Sequence, residues 1–139
     1  MSLSGIRTSL DNAISNIQGL NHYRELPSVV NPPFAFCALR PNEPVTYDFT
    51  AGNATLVYHF YIEVGVNLGA TKEQAQDDLD QYLQNTGDTS IKLAVESVSV
   101  FPSNDADVCR VMTVANYGAA TYGGVEYLCV RLLVDIWAR

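Results

Sequence analysis

The sequence is poor in basic residues and in charged residues generally. Its 139 residues contain eight Lys plus Arg against fifteen Asp plus Glu, which gives a formal net charge of −7. Proteins that read nucleic-acid sequence need a basic face for the phosphates, so this balance argues against that class. Charged residues make up 17% of the chain, where about 25% is usual. The 47% hydrophobic content is that of an ordinary globular protein and excludes a disordered chain.

Long apolar runs are also missing. No stretch approaches the roughly 18–20 apolar residues that span a bilayer, and Met1–Gly5 lacks the basic and apolar regions of a secretory signal. We therefore expect a soluble protein that stays in the compartment where it is made. A length of 139 residues predicts one domain, since compact domains usually have about 100–150 residues.

Cysteines are few and far apart. Cys37, Cys109 and Cys129 are an odd number, and apolar residues flank each of them. We interpret all three as buried free thiols. One disulfide with a leftover thiol is the alternative.

Helical patterns occur at three places. Leu3–Gln18 carries apolar residues at spacings of three and four, and Gly19 is placed to end this helix. Thr71–Gln74 is a capping box for a second helix, whose apolar stripe runs from Ala75 to Leu83. Gly87 is expected to stop that helix, and Ser90 to cap a short third one.

Strand patterns fill most of the remaining chain after a proline-rich linker. The predicted strands are Phe34–Leu39, Val45–Thr50, Thr55–Val66, a short run containing Val98 and Val100, Val108–Tyr117 and Val125–Trp137. Loops are expected at 51–54 and from Gly118 to Gly124. A last strand of thirteen residues would be about 43 Å long, which exceeds the usual five or six residues. Either it bends at a bulge or the hairpin projects beyond the domain.

This order of elements predicts an α+β fold. We expect two main helices on one face of a largely antiparallel or mixed sheet, with a long C-terminal hairpin. The other face would carry His59, Tyr61, Glu63, Arg131 and Asp135, and would be partly wet or would meet a partner.

Signals for catalysis or metal binding are weak. His22 and His59 are the only histidines, and each is better explained as a structural residue than as a base. The Asp77–Asp80 carboxylates lack the glycine of a calcium loop and fit a solvated helix face. Two histidines and three scattered cysteines do not form a zinc pattern. We expect no enzymatic activity, no metal and no cofactor.

Self-assembly explains the composition better. The chain has few charges and eight tyrosines, and tyrosine with arginine is typical of contact surfaces. A monomer with an uncharged polar surface is the alternative.

Several short motifs follow one another along the chain in an order that can be compared with known families. They are Gly19–Leu20, Tyr23–Arg24, Leu26–Pro27, Pro32–Ala35, Pro41, Thr46–Phe49, Val57–Val66, Ala75–Leu83, Asn85–Ile91 and Tyr122–Leu128. This succession resembles the tail terminator proteins of long-tailed bacteriophages, and it covers nearly the whole chain.

The resemblance implies one tail-terminator-like domain over residues 1–139 and a homo-oligomeric ring, typically of six copies. Such a ring caps the head-proximal end of the tail tube, stops tube polymerisation and joins the tail to the neck, so its partners are the tail tube protein and a neck or head-completion protein. It also implies a place in the virion, after assembly in the host cytoplasm, and no catalytic residues.

Ring contacts require two different patches on each copy. We expect one patch in the C-terminal hairpin, formed by Tyr122, Tyr127, Arg131 and Trp137, and a second at Arg40. Genome DNA would pass through an acidic or uncharged lumen without sequence-specific binding.

The sequence also allows other functions. A different head-to-tail connector, neck or tail-completion protein would also form a ring. A small binding module or enzyme would instead have an enclosed pocket, for example near His59 and Glu63.

Overall fold

A computed structural model describes residues 3–24, 27–48, 55–68, 72–96 and 108–138. Its elements in chain order are α1 (Leu3–Ser15), β1 (Asn21–Tyr23), β2 (Phe34–Leu39), β3 (Val45–Asp48), β4 (Thr55–Asn67), α2 (Lys72–Asp80), a 3-10 turn (Gln81–Leu83), α3 (Ile91–Glu96), β5 (Val108–Tyr122) and β6 (Val125–Ala138).

The six strands form one mixed sheet in the order β1-β2-β4-β6-β5. β3 pairs with the first part of β4, on the edge that β2 occupies further along. β1 runs parallel to β2, and every other pair is antiparallel. The predicted α+β class with a long C-terminal hairpin is confirmed.

The main core lies between the helices and one face of the sheet, which we call the helix face. Alternation places the even-numbered residues of β4 and β6 on this face, with Phe60, Ile62 and Leu132 among those fully or almost fully buried. Ile6, Leu10 and Ile14 of α1 pack against them, as the spacing of three and four predicts. Leu79 of α2 and Val95 of α3 complete this layer.

The opposite surface, which we call the open face, carries a second and smaller cluster. It consists of Val30, Phe34, Phe36, Tyr127 and Cys129, and none of the three described helices contributes to it. The segment 27–31 covers one end of this face, since Val30 is buried and its carbonyl oxygen accepts a hydrogen bond from the Tyr127 hydroxyl at 3.4 Å.

The C-terminal hairpin differs from the prediction in one respect. The prediction of a loop from Gly118 to Gly124 is wrong, because β5 continues to Tyr122 and only Gly123 and Gly124 form the turn. Both turn glycines have positive φ, of 59° and 80°, as tight two-residue hairpin turns require. Gly118 belongs to the strand, just after the second of two register shifts in β5.

Those register shifts show how a long strand fits a small sheet. They fall between Val111 and Thr113 and between Ala115 and Gly118, and a bulge bends and twists its strand. The sequence suggested a bulge in β6, but β6 pairs with β4 in an unbroken register, and the irregularities lie in β5.

The helix ends follow local chemistry. α1 ends at Ser15, before the predicted end at Gln18, and Gly19 adopts φ +81° after the intervening turn. Ser90 caps α3, because its Oγ accepts a hydrogen bond from the Leu93 N–H at 3.1 Å. The linker after Gly19 contains one strand that the sequence did not predict, β1, which is held by its pairing with β2.

Several predicted features lie outside the described residues: the loop at 51–54, the capping threonine Thr71 and the strand at Val98 and Val100. Within the described ranges, no helix has both the length and the apolar character needed to cross a membrane.

The three cysteines are buried free thiols, as expected from the sequence. Burial raises the pKa of Cys37 from 9.0 to about 11. Burial also raises the pKa of Cys109 to about 12, with a smaller contribution from the nearby Glu96 carboxylate. Cys129 has a pKa of about 12, again through burial first and then through Glu63.

Gly65 is a position where the fold leaves no room for a side chain. A Cβ there would lie 2.3 Å from the Phe34 ring and 2.9 Å from Cys129 Sγ. We therefore expect Gly65→Ala to lower the free energy of unfolding by about 1–3 kcal/mol, since overpacking forces the neighbours to move. Urea denaturation measures this difference. Gly118→Ala is the matched control, because nothing lies within 4 Å of its Cβ, and a change beyond about 0.5 kcal/mol there would contradict the packing argument.

Thiol reactivity gives a second test. At pH 8 an ordinary thiol with pKa 9.0 is roughly one-tenth thiolate, whereas Cys109 with a pKa of about 12 is roughly one part in ten thousand. A raised pKa lowers the fraction of the reactive thiolate at a given pH, so it slows alkylation. We expect iodoacetamide to alkylate Cys109 of the folded chain about a thousandfold more slowly than in about 6 M guanidinium, measured by mass spectrometry. Equal rates in the two conditions would show that the site is not buried.

Candidate interaction face

The open face collects the five residues that the sequence suggested as contacts. Tyr127, Arg131 and Trp137 are odd-numbered residues of β6, and alternation places them on this face. Tyr122 lies at the end of β5 and packs on the aromatic cluster there. Arg40 follows β2 and reaches β6 across the face. The prediction that His59, Tyr61, Glu63, Arg131 and Asp135 share one face also agrees with the register of β4 and β6.

Aromatic rings form one end of the face. Phe34 makes T-shaped contacts with Tyr122 and Tyr127 at centroid distances of 5.4 and 5.5 Å, and Phe36 makes one with Tyr122 at 6.0 Å. Edge-to-face contacts of this kind stabilise aromatic clusters. Tyr127 is 7% exposed, so most of its surface is already used within the chain. Tyr122 is half-buried.

An ion pair lies in the middle of the face. Glu63 and Arg131 are direct cross-strand partners, and Arg131 Nε donates to Glu63 Oε1 at 2.9 Å. The Arg131 guanidinium also stacks over the Tyr61 ring at 4.3 Å. Glu63 is 3% exposed, and its second oxygen is buried without a hydrogen-bond partner. The Arg131 side chain keeps 34% of its surface exposed, so it covers the carboxylate while facing outward.

A hydrogen-bonded chain forms the other end of the face. His59 Nδ1 lies 2.7 Å from Asp135 Oδ1, and His59 Nε2 lies 2.8 Å from Thr46 Oγ1. Arg40 Nη2 donates to the same Asp135 oxygen at 2.8 Å, while Arg40 Nε donates to the Phe60 carbonyl at 3.2 Å. Arg40 thus ties the segment after β2 to both β4 and β6.

The order Thr46, His59, Asp135 is that of a hydroxyl, base and carboxylate in a catalytic triad. In this chain, however, both ring nitrogens are engaged between strands of one sheet, and Arg40 already compensates the Asp135 charge. These residues do not line any of the three surface grooves described next, so we interpret the chain of hydrogen bonds as structural.

Three grooves formed by described residues lie away from this face. The largest, of about 510 Å³, is lined by residues of α2 and of the hairpin, including Gln76, Tyr117 and Leu128. A second, of about 490 Å³, is formed by the polar residues Asn16, Gln18, Asp88 and Thr89. The smallest, of about 190 Å³, lies beside Pro32, Pro33 and Tyr82. An enclosed pocket near His59 and Glu63, which a binding module would have, is not among them.

Metal ligands are not grouped either. Among the residues with described positions, no set of three or more His, Cys, Asp or Glu side chains could hold an ion. His22 instead lies 2.8 Å from Asp11 Oδ1 and links β1 to α1.

Trp137 borders the polar chain. It pairs in register with Val57 of β4 and Val108 of β5, and its side chain is half-buried. Together with Tyr61, Leu133 and Arg131 it leaves the middle of the open face partly exposed and mixed in character. Partly exposed aromatic and arginine side chains are typical of protein contact surfaces.

The sequence predicted which residues share the open face, but it did not predict which side chains contact each other there. Thr46 was part of a predicted strand, and nothing local distinguishes it as a neighbour of His59, thirteen residues away. Phe34 and Phe36 likewise gave no sign of a second cluster. The available signal was alternation, which places a histidine and an aspartate on the same face of two strands.

No protein-family model and no curated protein matches this chain.

The Glu63–Arg131 pair yields a stability test. Arg131→Met keeps the length of the side chain but leaves a buried carboxylate without its donor, so we expect the free energy of unfolding to fall by about 1–3 kcal/mol at neutral pH. Glu63→Gln in the Arg131→Met background should recover part of this loss, because the buried charge is then gone.

A double-mutant cycle on urea unfolding measures the coupling between the two residues. Lys92→Met is the comparison, since it removes the cation of an i,i+4 helix pair whose partner Glu96 keeps a second donor, the Val111 N–H. Helix pairs of this spacing contribute about 0.3–0.5 kcal/mol. Equal effects of Arg131→Met and Lys92→Met would contradict the buried-pair interpretation.

Proposed function

We propose that this chain is a structural virion protein that forms a ring, with six copies expected, at the head-proximal end of the tail tube of a long-tailed bacteriophage. In this role it ends polymerisation of the tube and joins the tail to the neck. The proposal is supported by the ordered motifs that resemble tail terminator proteins, from Gly19–Leu20 to Tyr122–Leu128. The chain folds as an α+β domain with the expected long C-terminal hairpin.

The observation that carries an assembly role is the open face. Five residues chosen from sequence as contacts converge there, and the middle of the face is partly exposed. Helices pack on the other face in the described part of the chain. A partly exposed surface of aromatic and arginine side chains, on a chain with a low fraction of charged residues, favours association with protein over a solvated monomer.

Each contact residue has a different capacity to meet a neighbour. Arg131, Tyr122, Arg40 and Trp137 retain exposed surface, and we propose them as direct contacts. Tyr127 is buried against Phe34, so we propose that it supports the face from beneath.

The ring has further consequences under this proposal. Two different patches must meet for copies to close into a ring. The tail tube protein and a neck or head-completion protein are the expected partners, and DNA passes through the lumen. A net charge of −7 favours an acidic or uncharged lumen that does not retain DNA. The chain has no catalytic activity in this proposal.

Assembly with tube protein is the experiment that tests the function. We expect the purified chain to form rings visible by electron microscopy, and we expect these rings to bind one end of tail tubes and stop their growth. Arg131→Glu should weaken ring formation by at least about tenfold in concentration, because it places an acidic group beside Glu63 and at the proposed contact.

Leu93→Glu is the control, since it adds an acidic group at an exposed position on α3, away from the open face. Unchanged tube length in the presence of the chain would overturn the terminator role. Rings that bind a head-completion protein but never the tube would instead identify a neck connector, and a basic lumen in the assembled ring would contradict the proposed passage of DNA.

A further inference from the structure

Among the described strands, β5 is the last at one edge of the sheet, and its outer edge lies on the side opposite β6. Backbone N–H and C=O groups on an unpaired edge can accept another strand. The edge strand is fifteen residues long, whereas exposed edges in proteins are usually short or protected.

Protection is present at one end of this strand. The Val111 N–H donates to Glu96 Oε2 of α3 at 2.9 Å, so a helix side chain covers the edge there. Hydrogen bonds from Lys92 and Val111 lower the pKa of Glu96 even though burial opposes this, and the carboxylate therefore stays an acceptor at neutral pH.

Beyond that point the edge has no charged side chain. The ten residues from Thr113 to Tyr122 contain no Asp, Glu, Lys or Arg, although charges are the commonest protection of natural edges. Val114 and Tyr117 leave 43% and 42% of their surface exposed. An uncharged, partly apolar edge of this length is typical of a strand that pairs with another chain.

The end of the hairpin is anchored to its own domain. The second bulge contains Asn116, whose φ is 56°, and the Tyr117 hydroxyl donates to Asp80 Oδ1 of α2 at 2.8 Å. This part of β5 is thus linked to α2 of its own domain.

The topology indicates what can pair with this edge. β5 runs in the same direction as β4, because two antiparallel steps separate them. β1, at the opposite edge, runs against β4, because it is parallel to β2. Two copies placed side by side in the same orientation therefore bring β5 of one antiparallel to β1 of the next.

Charge favours the same partner. Exposed acidic residues lie on α2, including Glu73, Asp77 and Asp78, and copies that each carry −7 repel through such surfaces. The edge at Thr113–Tyr122 contains no Asp, Glu, Lys or Arg, and neither does β1 (Asn21–Tyr23). The two edges can approach each other without like-charge repulsion.

We propose that the outer edge of β5, from Thr113 to Tyr122, pairs with the β1 edge of a second copy of this chain, so that the sheet continues from one protomer to the next. This inference rests on the proposed ring, for which it supplies the heterologous contact. The aromatic and arginine residues of the open face then lie on one continuous surface of the assembly.

Edge lysines test the pairing. Val114→Lys and Thr121→Lys each place a charge on the edge at an exposed position, so the protomer should fold normally while strand addition is blocked. We expect each to raise the midpoint concentration of assembly at least about tenfold by mass photometry. Leu93→Lys, at a similarly exposed apolar position on α3, is the control and should assemble as the unmodified chain does.

Hydrogen–deuterium exchange reads the contact directly. Peptides covering 113–122 and 20–24 should exchange more slowly in the assembled ring than in the dilute monomer, and circular dichroism should show that the variants are folded.

The outcomes separate the two proposals. Rings that form equally well with the edge lysines, or that leave exchange at 113–122 unchanged, overturn the edge pairing but leave the ring function standing. A chain that stays monomeric at every concentration, with and without tube protein, overturns both.

Discussion

The pairing of β4 with β6 is the interaction on which the rest of this structure depends. The two strands pair over twelve residues, from Leu56 with Ala138 to Asn67 with Tyr127. They lie in the middle of the sheet, so every helix and every other strand is positioned relative to them. Because side chains alternate along both strands, this single register assigns each residue either to the core under the helices or to the open face.

The open face shows why that register is so strongly specified. His59 faces Asp135 and Glu63 faces Arg131 as direct cross-strand pairs. A slip of β6 by one residue would move Arg131 and Asp135 to the helix face, beside apolar residues of β4 such as Phe60. It would also separate His59 and Glu63 from these partners. Buried unpaired charges cost several kcal/mol, so the polar pairs disfavour alternative registers even though each adds little to stability by itself.

Much of the fold could be predicted from the sequence. The helix at Leu3–Ser15, the strands at Phe34–Leu39 and Thr55–Asn67, the cap at Ser90 and the buried thiols all follow from local patterns. The continuous strand through Gly118 did not, because glycines usually indicate a loop, and here cross-strand pairing with Cys129 holds the backbone extended. β1 was also not predicted. Its three residues are too few to show alternation, and only their pairing with β2 makes them a strand.

The sequence by itself determined which residues share one face of a strand or a helix, because alternation and helical spacing are properties of neighbouring residues. It also determined the charge balance, because that depends on composition alone. Only the tertiary structure decided which residues meet: Thr46 with His59, Arg40 with Asp135, and Phe34 with the space above Gly65. These contacts join positions from 13 to 95 residues apart, and no local pattern encodes such distances, since they depend on the order and direction in which the strands add to the sheet.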